Sequence, residues 1–201
     1  MGRLIAAQLD AVTVDAFGTF ATLVDPIPKL EALLPDHARD EIQRAFRAEG
    51  EYYTAHVSEG RDAHTLADLR SRCVTVFNET LGSSLATDDY VGALAFDVLP
   101  GAADALGRLR ALGLSLAVVA NWDYGVHAWL AELELTRFFA TVVHAAAKPA
   151  PDGILQAIAA MHVRADRTLH IGDSAADEEA ARAAGVHFLP APLHEAVASL
   201  G

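Results

Sequence analysis

Residues 99–121 read LPGAADALGRLRALGLSLAVVAN, which is one complete step from a helix to a strand. Leu106, Leu109 and Leu112 recur at the spacing of an amphipathic helix, and Gly113 ends that pattern. The apolar run that follows, LSLAVVAN, has the length of a β-strand. A helix followed at once by an apolar strand is the repeating unit of an α/β fold.

The same step repeats towards the end of the chain. The pattern predicts a helix near 124–133, a strand near 141–146, a helix over 152–162, a strand over 168–174, a helix ending at Gly185 and a last strand over 186–190. Apolar strands separated by single helices indicate a parallel sheet covered on both faces, and right-handed crossovers make such a sheet doubly wound. We therefore predict an α/β fold with a doubly wound parallel sheet.

Between Leu23 and Leu99 the alternation of helices and strands stops. Four helical patterns fill this segment: KLEALL, RDEIQRAFRAEGEYYTAH, HTLADLRSRCVTVFNETLG and DDYVGALAFDV. A helical insertion after the first strand would form a smaller lobe, and connections at that end of the strands face the site. We therefore predict a core made of residues 1–22 and 99–201 and an α-helical cap over residues 23–98.

The composition limits the class of protein. The 201 residues are 52% hydrophobic and 21% charged, which suits one large domain or a domain with an insertion. The net charge of -12 argues against a nucleic-acid partner and against binding to an anionic membrane. A single cysteine, Cys73, with no leader and no long apolar run, favours a cytoplasmic protein. No pattern indicates an oligomeric state.

Polar residues stand at the carboxyl end of successive strands of the predicted sheet. They are Asp15 after the first strand, Asn121 after the second, Lys148 after the third, and Asp173 with Asp177 after the fourth. A single Asp in such a place is more often a turn residue or a helix cap. Carboxyl ends of parallel strands meet at one edge of the sheet, where ligands bind. Polar residues at several successive strand ends therefore indicate a site.

Four segments identify a family. VDAFGT at 14–19, Asn121 at its strand end, KPAPDGI at 148–154 and IGDSAADEEAARAAG at 171–185 resemble, in order and spacing, the four motifs of the haloacid dehalogenase-like hydrolase superfamily. The resemblance covers the whole chain, including a helical cap inserted between the first and second motifs. It implies a Rossmann-like core, a covalent aspartyl intermediate and, as in most members, Mg2+-dependent hydrolysis of phosphate monoesters.

The chemistry of these residues agrees with that resemblance. Hydrolysis of a phosphate ester needs a nucleophile in line with the leaving group and positive charge beside the phosphoryl oxygens. Asp15 is the expected nucleophile, and Lys148 is expected to offset charge there as a compact cation. The expected phosphate-binding residues are Ala120, Asn121 and Lys148, with the main-chain N–H of Asn121 as the donor that remains in the second motif.

A magnesium ion is expected among the carboxylates. Asp15, Asp173 and Asp177 would repel a phosphate dianion unless a cation lay between them, and ligation by oxygen alone selects a hard ion, Mg2+ before others. The resemblance adds the main-chain carbonyl of Phe17, two residues past the nucleophile, as a further ligand. We therefore predict Mg2+ held by three carboxylates and one carbonyl.

Two positions depart from the phosphatase pattern. Phe17 stands where these phosphatases have an aspartate that protonates the leaving oxygen, a contribution of roughly 10² to 10⁴ in rate. Ala120 replaces the usual hydroxyl residue and removes a donor to phosphate, about 1.5 to 3 kcal/mol for a hydrogen bond to a charged group. The prediction is a slow or specialised phosphatase acting on a small phosphorylated metabolite.

Two other functions stay open. The aromatic residue in DAFGT also resembles the haloacid dehalogenases, whose halide leaves without a proton donor, but these enzymes use no metal and Asp173 and Asp177 are kept here. The second alternative is a non-catalytic relative that binds phosphate or a metabolite, consistent with Phe17 and Ala120. Asp15 argues for an enzyme, because a pure binder gains nothing from an uncompensated carboxylate against phosphate.

Overall fold

The computed structural model describes residues 6–200. By its internal contacts the chain forms two compact units: one holds the chain up to Thr22 and again from Val98 onward, and the other holds Leu23–Asp97. We call them the α/β unit and the helical unit.

Seven strands are present among the described residues. In chain order they are β1 (Ala11–Val14), β2 (Ala21–Val24), β3 (Ala95–Val98), β4 (Ser115–Val119), β5 (Thr141–Val143), β6 (Thr168–Gly172) and β7 (His187–Pro190). Five of them form a parallel sheet in the order β5-β4-β1-β6-β7, while β2 and β3 pair separately. The predicted α/β fold with a Rossmann-like parallel sheet is confirmed.

The central strand β1 is buried along its whole length because it has a neighbour on both sides and helices on both faces. Val14, its last residue, lies opposite Val118 of β4 and Ile171 of β6. This register brings the ends of the three strands level. Residues that follow them therefore start from one edge of the sheet.

Five helices of the α/β unit accompany the sheet. They are α5 (Ala102–Ala111), α6 (Gly125–Glu132), α7 (Asp152–Met161), α8 (Ala175–Ala184) and α9 (Leu193–Ser199). The helix α7 packs on β4 and β5, and α8 packs on β6, β7 and α7. Their apolar residues share one core cluster with the strands, which includes Ile154, Ile158, Ala181, Val119 and Val143. The last helix, α9, has no counterpart in the sequence prediction.

The strand predicted near 141–146 is shorter than expected. It ends at Val143, because Ala145 and Ala147 both adopt a positive φ that a strand does not tolerate. The chain turns there and leads to Lys148. The predicted strand at 168–174 likewise ends at Gly172, where Ser174 begins the cap of α8.

The helical unit contains α1 (Ile27–Leu33), α2 (Arg39–His56), α3 (Ala63–Leu81) and α4 (Thr87–Ala93). Leu30, Ile42, Phe77 and Tyr90 form its fully buried interior. The prediction that DDYVGALAFDV is helical throughout is wrong. The helix ends at Ala93, Leu94 is extended, and Ala95–Val98 is strand β3 because it pairs with β2.

A carboxyl group lies inside the helical unit. Glu49 of α2 is only 7% exposed, and the Tyr90 hydroxyl and Cys73 thiol lie beside its carboxyl group. The hydroxyl faces the carboxyl group without the geometry of a regular hydrogen bond. Burial is the largest influence on Glu49, and it raises the pKa of that carboxyl group above its ordinary value.

Within the described part of the chain, no helix combines the length and the hydropathy needed to cross a bilayer.

Candidate active site

Asp15 follows the central strand directly. Its main-chain N–H donates to the carbonyl of Ile171 at 2.9 Å, which continues the pairing of β1 with β6 for one residue. The residue is 6% exposed, so its carboxylate opens at the edge of the sheet and is otherwise enclosed. After it, the carbonyl of Ala16 accepts from the N–H groups of Phe20 and Ala21, and this closes a tight turn.

Lys148 lies between two carboxylates. Its Nζ is 2.5 Å from Oδ1 of Asp15 and 2.5 Å from Oδ1 of Asp177, and its side chain is 3% exposed. Three residues that were predicted from separate motifs are thus joined by hydrogen bonds. An ammonium group so deeply buried requires such anionic partners.

Asn121 holds the main chain of Lys148. The Lys148 N–H donates to Oδ1 of Asn121 at 2.8 Å, and Nδ2 of Asn121 donates to the Lys148 carbonyl at 3.0 Å. Both polar ends of the Asn121 amide are used in this way. Its side chain fixes the lysine loop, and only its main chain is left for the predicted phosphate contact.

Asp177 accepts hydrogen bonds on both oxygens. Oδ1 receives Nζ of Lys148 and, at 3.1 Å, Nε2 of His170. Oδ2 receives the N–H of Ser174 at 3.1 Å and its hydroxyl at 2.5 Å. Ser174 is the N-cap of α8 and Asp177 is its third residue, so this is a capping box whose acid is also part of the site.

Asp173 completes a group of three carboxylates. One oxygen each from Asp15, Asp173 and Asp177 lie within 4.8 Å of one another, a spacing that suits a metal ion. Asp173 is exposed and rests against Gly18, whose φ is +77°. A Cβ on Gly18 would lie 2.1 Å from Oδ2 of Asp173, so only glycine allows this approach.

The three carboxyl groups differ in the direction of their pKa shifts. Burial raises the pKa of Asp15 to about 6 against the attraction of Lys148, and the charge of Asp177 adds to the rise. Burial and the charge of Asp177 also raise the pKa of Asp173. A site in which two acids resist ionisation beside a third has the donor set and the charge that a divalent cation fits.

Asp177 behaves in the opposite way. Burial acts to raise its pKa, but the hydrogen bond from His170, the charge of Lys148 and the bond from Ser174 outweigh burial. The pKa of Asp177 therefore lies well below its ordinary value. Of the three acids, Asp177 is the one whose ionised form its hydrogen-bond donors favour most.

Phe17 and Ala120 supply no polar side chain. The Phe17 ring is 52% exposed, at the turn after Asp15. The Ala120 N–H donates to the Val143 carbonyl at 3.0 Å, and its own carbonyl accepts from Ala146 at 3.1 Å. The main-chain donor of Ala120 is thus used within the fold and its side chain is a methyl group, while its phosphate contact stays a prediction.

Sequence reasoning missed Thr13, His170 and Ser174. Oγ1 of Thr13 lies 2.9 Å from Nδ1 of His170, and the two residues are opposite each other in the register of β1 and β6. A histidine in the otherwise apolar strand TLHIG was the available signal for the first two. The S-x-x-D spacing of a capping box was the signal for Ser174.

A model of the family described as haloacid dehalogenase-like hydrolase matches residues 9–185. The phosphoglycolate phosphatase of Escherichia coli O157:H7 is 30% identical over 197 residues, covering 85% of this chain and 77% of that protein. The phosphoglycolate phosphatase of E. coli strain K12 is 36% identical over 106 residues, covering 49% of this chain and 42% of that protein. This second match spans less than half of either protein.

Solved structures share the fold. An L-2-haloacid dehalogenase from Xanthobacter autotrophicus superposes with a TM-score of 0.62 at 24% identity, covering 90% of this chain and 76% of that one. A putative β-phosphoglucomutase from Thermotoga maritima gives 0.61 at 17% identity, covering 94% and 97%. At these identities the likeness concerns the fold. The family model and the relative matched over 197 residues carry the assignment, and they show that the chain belongs to the haloacid dehalogenase-like hydrolase family.

Proposed function

We propose that the protein is a Mg2+-dependent phosphatase that acts on a small phosphorylated metabolite through an aspartyl phosphate at Asp15. The observation that carries this proposal is the placement of Lys148 between Asp15 and Asp177, with Asp173 completing a cluster of three carboxylates. The two relatives named phosphoglycolate phosphatase agree with it. Residues 23–98 would act as the cap that selects the substrate.

The metal would be held by Asp15, Asp173, Asp177 and the main-chain carbonyl of Phe17, and Asp177 would have to give up one of its four hydrogen bonds to act as a ligand. When bound, Mg2+ would neutralise charge on the phosphoryl oxygens and allow a phosphate dianion to approach the acids. Of the three acids, Asp15 and Asp173 have the raised pKa values, so both would gain most from a cation beside them.

Asp15 would attack through Oδ2, because its Oδ1 is held by Lys148. A bond forms between Oδ2 and phosphorus while the bond from phosphorus to the leaving oxygen breaks, and the leaving group takes the electron pair. Water then attacks the acyl phosphate and releases inorganic phosphate and free Asp15. Lys148 keeps Asp177 as a partner throughout, so its position does not depend on the charge of Asp15.

Phe17 would restrict the substrates. A phenyl ring donates no proton to the leaving oxygen, so the leaving group must depart as a stabilised anion. Aryl and acyl phosphates meet that requirement and alkyl phosphates do not. We expect a steep dependence of turnover on leaving-group basicity, and Phe17→Asp should flatten it, with a gain on alkyl phosphates of at most about 10² to 10⁴.

The first test is hydrolysis of p-nitrophenyl phosphate with and without Mg2+. Turnover should require the metal, Asp15→Asn should abolish it, and Glu49→Gln, a buried carboxyl change in the helical unit, should leave it unchanged. Beryllium fluoride, which mimics a phosphoryl group on a carboxylate, should bind with Mg2+ to the wild type and not to Asp15→Asn. Turnover without metal, or fluoride binding that survives Asp15→Asn, would refute the proposal.

A haloacid dehalogenase is the second candidate, and the aromatic Phe17 after the nucleophile favours it. Release of halide from 2-chloropropionate without added metal, combined with no turnover of phosphate esters, would establish that alternative. The substitution Phe17→Asp separates the two further. In a phosphatase it should raise the rate on 2-phosphoglycolate relative to p-nitrophenyl phosphate, whereas an unchanged ratio in the folded, Mg2+-binding variant would show that the missing acid is not limiting.

A further inference from the structure

We infer that His170 is a positioning residue that fixes Asp177, and through Asp177 the catalytic Lys148, by a hydrogen-bond chain anchored at Thr13. This inference rests on the proposed function for the role of Lys148. It assigns a purpose to a buried imidazole that takes no part in the chemistry proposed above.

His170 has no access to solvent and both ring nitrogens are engaged. It lies in β6 at 0% exposure, with Nδ1 2.9 Å from the Thr13 hydroxyl and Nε2 3.1 Å from Oδ1 of Asp177. A buried imidazole could have been replaced by an apolar side chain at little cost if it served only to fill space. Its two partners on opposite sides indicate that its orientation matters.

The direction of the hydrogen bonds follows from the acceptors. A carboxylate only accepts, so Nε2 must carry the hydrogen that points at Asp177. This holds whether the ring is neutral or charged. In the neutral ring Nδ1 is then an acceptor, and the Thr13 hydroxyl donates to it.

The histidine acts on the oxygen that also holds the lysine. Oδ1 of Asp177 is shared by His170 and Lys148, while Oδ2 is held by Ser174. Two donors on each oxygen leave the carboxylate one orientation. If the His170 donor is lost, Oδ1 of Asp177 keeps Lys148 as its one remaining donor, so Oδ1, and with it Nζ of Lys148 against Asp15, is held less well.

Three variants test the inference. His170→Leu removes the donor with similar volume, His170→Gln places an amide N–H near the position of Nε2, and Thr13→Val leaves the ring but removes its anchor. We expect His170→Leu to lower kcat on p-nitrophenyl phosphate about tenfold to a hundredfold, the range for a hydrogen bond to a charged group. KM should change little, because the ground-state contacts to phosphate remain. His170→Gln should recover most of the loss, and Thr13→Val should show a smaller loss in the same direction.

Two measurements do not depend on turnover. Nitrogen NMR of the imidazole should show the Nε2–H form of His170 in the wild type, with Nδ1 changing its shift in Thr13→Val. Calorimetric titration with Mg2+ should give weaker binding for His170→Leu than for His170→Gln. If the wild type binds Mg2+ but hydrolyses no phosphate ester, the proposed function fails while these two measurements still decide the role of His170.

The inference is overturned by any of three results. One is a folded His170→Leu protein with wild-type kcat and Mg2+ affinity. Another is a His170→Gln protein as impaired as His170→Leu, which would indicate packing. The third is an Nδ1–H tautomer in the wild type. Should His170→Leu fail to fold, wild-type kcat in Thr13→Val combined with an unchanged imidazole spectrum would have the same force.

Discussion

Both units of this protein bury a carboxyl group. Asp177 and Glu49 are alike in burial, but they differ in the hydrogen-bond donors around them and in the direction of their pKa shifts. Asp177 of the α/β unit receives four hydrogen bonds, from Lys148, His170 and Ser174, and its pKa is lowered. Glu49 of the helical unit has only a tyrosine hydroxyl and a thiol beside it, and its pKa is raised. Donors, and not depth, decide whether a buried acid stays ionised.

The difference separates an acid whose ionised form the fold stabilises, Asp177, from one whose ionised form burial disfavours, Glu49. An ionised acid inside a protein is costly unless hydrogen-bond donors and a countercharge surround it. The α/β unit supplies such partners to Asp177 from the loop after β5, from strand β6 and from the N-terminus of α8. Around Glu49, burial outweighs the Tyr90 hydroxyl and the Cys73 thiol, so the pKa of its carboxyl group is raised.

The largest expected effect comes from Asp177→Asn. The amide cannot balance Lys148, and breaking a buried ion pair by removing one partner costs about 3–5 kcal/mol. We expect a loss of that order in the free energy of unfolding at pH 7, measured by urea, together with loss of Mg2+-dependent turnover. A loss below about 1 kcal/mol, the usual value for an exposed pair, would show that the pair is not behaving as a buried one.

Added Mg2+ should bind to the acids of the α/β unit and should not bind to Glu49. A ligand that binds only the native state at 100 times its Kd adds about 2.7 kcal/mol to stability. Titration of the melting temperature with MgCl2 should show a rise in the wild type, a smaller rise in Asp173→Asn, and an unchanged rise in Glu49→Gln. A melting curve that millimolar Mg2+ does not move would contradict the metal site.

Asp15→Asn should separate stability from activity. At pH 7 the ionised Asp15 is disfavoured in the folded state, because its pKa is about 6 there and 3.8 as its ordinary value. Each unit of pKa corresponds to about 1.4 kcal/mol, so the neutral amide should raise the free energy of unfolding by about 1–3 kcal/mol without Mg2+. Equal or lower stability of this variant would mean that Lys148 compensates Asp15 fully.

Glu49→Gln should have the smallest effect and the opposite pH dependence from Asp177→Asn. The raised pKa of Glu49 means that the wild type loses stability as the pH rises from its ordinary 4.5 through the folded value. The amide escapes that loss, so its advantage should grow from pH 4.5 to pH 7.

Asp177 has a lowered pKa, and its contribution is lost as the pH falls through the folded value. The deficit of Asp177→Asn should therefore shrink in acid. Urea unfolding of the three proteins at a series of pH values measures both trends. Parallel profiles for the two variants would contradict the opposite pKa shifts of Glu49 and Asp177.

Sequence reasoning reached the residues that a rule of topology places together. Asp15, Lys148, Asp173 and Asp177 follow strand ends of a parallel sheet, and such ends meet whatever the details of packing. The α/β class could also be predicted from the sequence, because helix and strand periods differ clearly in residues 99–190.

The rest depended on contacts that no local pattern specifies. His170 joins the site because Thr13 lies opposite it in the sheet register, and a residue 157 positions away is not visible from the strand itself. Likewise Ala95–Val98 reads as the end of a helix until its partner β2 is known. The hydrogen bonds between the Asn121 side chain and the main chain of Lys148 were likewise not predictable, because they join residues of two separate loops.

The close approach of Gly18 to Asp173 has a consequence for how this sequence can vary. A Cβ at position 18 would lie 2.1 Å from the Asp173 carboxylate, and one at Gly172 would lie 2.3 Å from Cγ of Asp177. Asp173 and Asp177 thus each lie against a glycine. The glycine that faces Asp173 lies more than 150 residues earlier in the chain. A side chain at position 18 would take the place of the Asp173 carboxylate and would also have to adopt a φ of +77°, so in a recombined library a larger residue there should displace Asp173 from the carboxylate cluster. The position of Asp173 therefore depends on a glycine that the chain encodes more than 150 residues earlier.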